Sequence, residues 1–136
     1  DPVETAGKLR DLGVGVGIAL NPETPLASFG DAISMVDMAL VMSVEAGFGG
    51  QAFNPIALEK FRSLRQDYPD LLLEIDGGIG VDTISLARAA GCDLFVVGSA
   101  ICRKDSYLAA IADLNAGIQT AARNESVRGL KREDHS

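Results

Sequence analysis

The chain has 136 residues, 47% of them hydrophobic, and a formal net charge of −7 at pH 7. That length supports one domain with a real core, and the charge argues against a nucleic-acid surface while leaving room for a small anionic ligand. No apolar run reaches the about 18 residues a membrane span needs, and Asp1-Pro2-Val3-Glu4 has neither a basic region nor an apolar signal core.

In chain order, Val3 to Leu12 has a short helical pattern closed by Gly13, a suitable residue just past a helix end. Val14 to Leu20 is an apolar run too short for a helix. A brief helix over Phe29 to Met35 and a second apolar run, Met38 to Val44, follow. Asn54-Pro55 can serve as N-cap and first residue of a helix to about Asp67, with Ala57, Phe61, Leu64 and Tyr68 on one face. Leu71 to Ile75 is the third apolar run. Asp82 to Ala90 reads as a helix ended by Gly91, and Leu94 to Val97 is the fourth run. The last helix is expected from about Ser106 to Arg123, with Tyr107, Ile111, Leu114 and Ile118 at helical spacing. From Glu125 to Ser136 charges mix without periodicity, so residues 1–124 are expected to form the domain and 125–136 a mostly disordered tail.

The four apolar runs are rich in Val, Leu and Ile and continuously apolar rather than alternating. This predicts strands covered on both faces, as in a parallel sheet. Their alternation with helices predicts an α/β fold of right-handed βα units. No repeat of fixed length is evident. Cys92 and Cys102 have no CxxC spacing and are expected to be buried, reduced thiols of a cytosolic protein rather than a disulfide. The single histidine, His135, lies in the polar tail.

In βα proteins ligands sit at the C-terminal ends of the strands. The second strand is followed by Glu45-Ala46-Gly47-Phe48-Gly49-Gly50-Gln51, the third by Gly77-Gly78-Ile79-Gly80 after Asp76, and the fourth ends at Gly98-Ser99-Ala100. Glycine lets backbone N–H groups approach a ligand closely, and consecutive N–H groups make an anion site that suits phosphate. Each cluster alone is also compatible with a tight turn, a bend or close packing. Together, at one end of one sheet, they point to phosphate or a similar anion. Ser99 adds a hydroxyl donor or serves as an ordinary helix cap.

Asp76 ends an apolar strand in front of Gly-Gly, where a general base or metal ligand is wanted; capping the glycine turn is its other reading. Glu74 is on the same face one layer deeper, as a buried partner for another polar group. Met42 is either core packing or a soft apolar wall beside a reacting centre.

In these motifs, namely Gly17 to Pro25, Val41-Met42-Ser43-Val44, Gly47 to Gln51 with Phe53, Asp76 to Ile79 and Gly98 to Ile101, the chain resembles the C-terminal part of the ribulose-phosphate 3-epimerase family. The resemblance extends from about Val3 to Asn124. It implies a (β/α)8 barrel family, here as a half-barrel of about four parallel strands, because a whole barrel takes roughly 200 residues or more. It implies interconversion of D-ribulose 5-phosphate and D-xylulose 5-phosphate in the cytoplasmic pentose phosphate pathway. It implies that Gly47, Phe48, Gly49, Gly50, Gly77, Gly78, Gly98 and Ser99 hold the substrate phosphate, that Met42 lines the site, and that Asp76 is both an acid/base and a ligand of one divalent metal ion (Zn, Fe, Mn or Co).

Two departures qualify the resemblance. Glu45-Ala46 stands where the family commonly shows Asn-Pro; the glutamate either weakens anion binding or points away. The serine, the metal-binding histidines and the second catalytic aspartate of the family's first half have no counterpart. The expected partners are a sugar phosphate and a second half-barrel or a further copy of the chain, without nucleic acid or membrane. The alternatives are a non-catalytic sugar-phosphate-binding half-barrel and an inactive remnant that self-associates.

Overall fold

A short apolar run satisfies its backbone by pairing with other runs, and here the runs pair in the order in which they occur. The computed structural model describes residues 1–44 and 52–133, with side chains as far as residue 122. Strands β1 (Gly17–Leu20), β2 (Met38–Met42), β3 (Leu72–Asp76) and β4 (Leu94–Val96) form one sheet in the order β1-β2-β3-β4, and every pair is parallel. Helix α1 (Pro2–Asp11) precedes β1, a 3-10 segment (Leu26–Met35) joins β1 to β2, and α2 (Ile56–Asp67) and α3 (Ile84–Ala89) precede β3 and β4. The short α4 (Ser99–Cys102) and the long α5 (Tyr107–Glu133) follow.

Because each strand lies beside its predecessor, crossovers of one hand put every helix on the same side of the sheet. That side is the core. Leu20, Ala39, Val41, Leu73 and Ile75 meet Ala57, Phe61 and Leu64 of α2 and Ile84 and Ala87 of α3. The expectation of cover on both faces is therefore corrected. On the other face Leu72 and Leu94 are 40% exposed and Val96 is 41% exposed. Continuous apolarity has the same appearance in a strand roofed by helices on both sides and in a barrel strand whose inner face meets other barrel strands. The α/β half-barrel with β1 and β4 as its edges is the architecture present.

Local chemistry accounts for the boundaries. Asp1 caps α1 through Oδ1, which accepts the N–H groups of Val3 at 2.9 Å and Glu4 at 3.3 Å. The Asn54 side chain accepts the Ile56 N–H at 3.1 Å as α2 begins. The run Val14 to Leu20 yields a strand only from Gly17; just ahead of it the Val16 N–H is taken by Asp37 Oδ2 at 2.8 Å. In α5, Leu114 is buried as expected, but Tyr107 and Ile111 are 57% and 43% exposed, and Ala110 and Ala121 are buried instead. Small residues win that face because α3 approaches closely: a Cβ on Gly117 would lie 2.9 Å from Ile84 Cγ2. The helix was expected to stop near Arg123; its backbone continues to Glu133, through residues that include strong helix formers and no proline.

The structure also shows a repeat that the sequence conceals. Asp37-Met38-Ala39-Leu40-Val41-Met42-Ser43 and Asp93-Leu94-Phe95-Val96-Val97-Gly98-Ser99 occupy equivalent places. Asp37 accepts the Val16 N–H and donates its own N–H to Val16 O; Asp93 does the same with Leu73. Arg10 donates to Met35 O at 2.9 Å, and Arg65 donates to Gly91 O at 2.9 Å and to Asp93. The two strand pairs are thus tied by one device at the end of the sheet away from Asp76. Only Asp, Val and Ser are identical between the segments, too few to register as a repeat in one sequence.

The cysteines divide. Cys92 is buried and Cys102 is exposed, which corrects the expectation of two buried thiols. Burial, the largest influence, pushes the Cys92 thiol up to about 12. Below the pKa of about 8.5 of an unfolded thiol this contributes its full share of stability, and the share is lost as pH rises towards the folded value. Iodoacetamide at pH 8 is expected to label one thiol of the folded protein, Cys102, and a second only after unfolding. Two equivalents taken up by the folded chain, read by mass spectrometry, would contradict this.

Candidate active site

The C-terminal ends of parallel strands gather at one end of the sheet. Asp76 is the last residue of β3 and pairs in register with Met42 of β2 and Val96 of β4. In-register residues share a face, so the three form a row at the rim of the open face. The row beneath is Leu40, Glu74 and Leu94. Asp76 therefore stands half-buried between two apolar neighbours, with Glu74 one row deeper and also half-buried.

The turn after Asp76 needs glycine twice. Gly77 has φ 119° and Gly78 has φ 64°, a region that costs other L-residues steric energy. Neighbours enforce this as well. A Cβ on Gly77 would lie 2.6 Å from Val44 Cγ2, and one on Gly78 would lie 2.8 Å from the Phe53 backbone nitrogen. Thr83 closes the turn from below α3: its Oγ1 accepts the Gly80 N–H at 2.9 Å and donates to Gly78 O at 3.0 Å. The sequence placed the start of this helix at Asp82; it begins at Ile84, and the Thr83 side chain holds the glycine turn rather than a helix N–H, with the Gly-x-x-Thr spacing as its signal in the sequence.

Asp76, Gly77, Gly78, Gly98 and Ser99 line one open cleft of about 1210 Å³. Close packing does not explain Gly98, since a Cβ there would meet no described atom within 4 Å. Arg103 and Lys104 line the same cleft, as do Asp82, Asp105 and Asp113. The two cations follow Gly98-Ser99 closely in the sequence, and with Asp76 the cleft sets four carboxylates beside them. Met42 stands beside Asp76 in register. Gly47, Phe48, Gly49 and Gly50, with Glu45 and Ala46, lie outside the described residues.

Among the described residues no three His, Cys, Asp or Glu side chains converge as a metal site would require. Asp76 offers one oxygen ligand and does not make a cation site with its described neighbours. Among the same residues, no helix is long and apolar enough to cross a membrane.

Comparison with known proteins gives these features a context. The model of the ribulose-phosphate 3 epimerase family matches residues 1–102. The chain is 48% identical over 118 residues to a ribulose-phosphate 3-epimerase of Mycobacterium tuberculosis (strain ATCC 25618 / H37Rv), covering 84% of the chain and 52% of that protein. It is 43% identical over 101 residues to the cytoplasmic isoform of the enzyme from Oryza sativa subsp. japonica, covering 72% and 44%. It is 38% identical over 114 residues to the enzyme of Escherichia coli (strain K12), covering 81% and 51%. The chain spans about half the length of the curated relatives it matches.

Proposed function

The chain belongs to the ribulose-phosphate 3-epimerase family, and we propose that it forms the phosphate-gripping half of an epimerase site that interconverts D-ribulose 5-phosphate and D-xylulose 5-phosphate in the cytoplasmic pentose phosphate pathway. The observation that carries this reading is the sharing of one cleft by Asp76, Gly77, Gly78, Gly98 and Ser99. Backbone N–H groups at the glycines, with the Ser99 hydroxyl, hold the phosphate. Gly47, Phe48, Gly49 and Gly50 complete the grip, and Met42 walls the reacting carbon.

Epimerisation removes the C3 proton beside the C2 ketone and returns it on the other face. Two acid/base groups on opposite faces are therefore required, and Asp76 serves one face. The remote phosphate supplies binding energy that holds C3 at the carboxylate. The family implies a divalent cation of Zn, Fe, Mn or Co, which stabilises an enediolate oxygen when bound. The described residues do not fit a complete site for it, so the chemistry assigned to this chain is proton transfer at Asp76 alone. The half-length match favours a second reading, a sugar-phosphate-binding half-barrel that lacks catalysis by itself.

Calorimetric titration separates phosphate recognition from general sugar binding. Ribulose 5-phosphate is expected to bind at least about ten-fold more tightly than ribulose, the value of one charge-assisted hydrogen bond or more. Equal affinities would remove the phosphate site.

The open apolar face is proposed to pack on a complementary half-barrel, supplied by the length that relatives possess and this chain does not span, or by a second copy when the chain is alone. Edges β1 and β4 would then be paired rather than open. Sedimentation equilibrium of the 136-residue chain is expected to give a dimer or larger species. A compact monomer would contradict the proposal.

A further inference from the structure

Ser43 is the only buried residue with a polar or charged side chain among the described residues, and none of its surface is exposed. It sits one step past the Met42–Asp76 pair and, by strand alternation, on the helical side with Ala39 and Val41. A hydroxyl in that place costs stability unless it is bonded. Its partners are the two carbonyls that bracket Gly77: Ser43 Oγ donates to Asp76 O at 3.1 Å and to Gly77 O. One proton serves both acceptors, in a three-centre bond or by turns. The Ser43 backbone is tied in too, with its N–H on Asp76 O at 2.8 Å and its carbonyl accepting the Asn54 N–H at 2.7 Å.

The direction of these bonds matters. In a trans peptide the N–H points opposite to the C=O, and the chain has no cis peptide. Asp76 O belongs to the peptide that carries the Gly77 N–H, and Gly77 O to the peptide that carries the Gly78 N–H. A hydroxyl at the end of β2 that draws both carbonyls to itself turns both N–H groups the other way, away from Ser43, and both glycines line the cleft. A side chain on Gly77 would bar the arrangement, since its Cβ would stand 3.0 Å from Ser43 Oγ.

We propose that Ser43 is a positioning residue that aims the Gly77 and Gly78 N–H groups at the anion, without touching the ligand itself. This rests on the phosphate reading of the site. Ser43 thus acts from the opposite side of the sheet to Asp76, and couples the end of β2 to the turn that both grips the phosphate and follows the acid/base.

The test is a titration of the 15N-labelled chain with inorganic phosphate, followed at the Gly77 and Gly78 amides. In the wild type both amides are expected to shift saturably. Ser43→Ala, with its β1 and α1 resonances unchanged, is expected to bind about ten-fold more weakly, the loss of one well-placed hydrogen bond. Ser43→Thr keeps the hydroxyl and is expected to stay within about three-fold of wild type. If Ser43→Ala loses its fold, Ser43→Cys, nearly isosteric and a weak donor, takes its place with the same expected loss. A folded Ala or Cys variant that binds phosphate as tightly as wild type overturns the proposal. Wild-type amides that do not respond to phosphate overturn the phosphate reading itself, a distinguishable result.

Discussion

The isolated chain is expected to convert ribulose 5-phosphate to xylulose 5-phosphate no faster than buffer in a coupled assay, even with Zn²⁺, Mn²⁺ or Fe²⁺ added. The reason is stereochemical. Inversion at C3 needs a group on each face of the carbon, and the described residues supply Asp76 on one. A positioned acid or base contributes about 10²–10⁴-fold, so a missing partner removes most of the advantage. The described residues also provide no converging cation ligands, and the cleft stands on an open sheet face where water is not excluded. Asp76→Asn should accordingly leave the isolated chain unchanged, because nothing remains to be lost. Robust turnover by this chain alone, abolished by Asp76→Asn, would show that Asp76 works and that the chain needs no complementing half.

Gly78→Ala is expected to be strongly destabilising. Its φ of 64° carries a strain of about 1–3 kcal/mol for a residue with a Cβ. The added carbon would lie 2.8 Å and 2.9 Å from the Phe53 backbone N and Cα, atoms that cannot swing aside as a side-chain tip can. Overpacking of this kind adds about 1–3 kcal/mol. A fall in melting temperature on the order of 10 °C follows for a domain of this size, with loss of ribulose 5-phosphate binding if the turn holds the phosphate as proposed. Gly98→Ala is the control. Its φ is −102° and its Cβ would meet no described atom, so the fall in melting temperature should be smaller than for Gly78→Ala. Equal melting temperatures for Gly78→Ala and wild type, measured by circular dichroism, would contradict the packing argument.

The strands were legible because apolar runs of Val, Leu and Ile have few other uses, and their alternation with helical patterns fixed the parallel order. One-sided cover was not legible from the strand composition: Leu40, Leu72 and Leu94 are apolar whether a helix or an opposing barrel wall is to meet them. The buried stripe of α5 shifted from Tyr107 and Ile111 to Ala110 and Ala121 because the close contact of Gly117 with Ile84 favours small side chains over large ones. At the site, Asp76 stood out in the sequence, as a carboxylate closing an apolar strand before two glycines. Ser43 did not, since its role lies in carbonyls it reaches across the fold. A serine at the end of an apolar strand gives no sign of which neighbouring turn it will hold. Arg103 and Lys104 belong to no motif in the sequence, and the cleft groups them with Gly98 and Ser99.

The central proposal is that this chain carries the Asp76-bearing part of an epimerase site. Its most direct test mixes the chain with a separately expressed complementing half from a relative and follows epimerisation in the coupled assay. Turnover is expected only in the mixture, and Asp76→Asn in this chain is expected to reduce it by about 10²–10⁴-fold. Turnover in the mixture that is indifferent to Asp76→Asn would contradict the account.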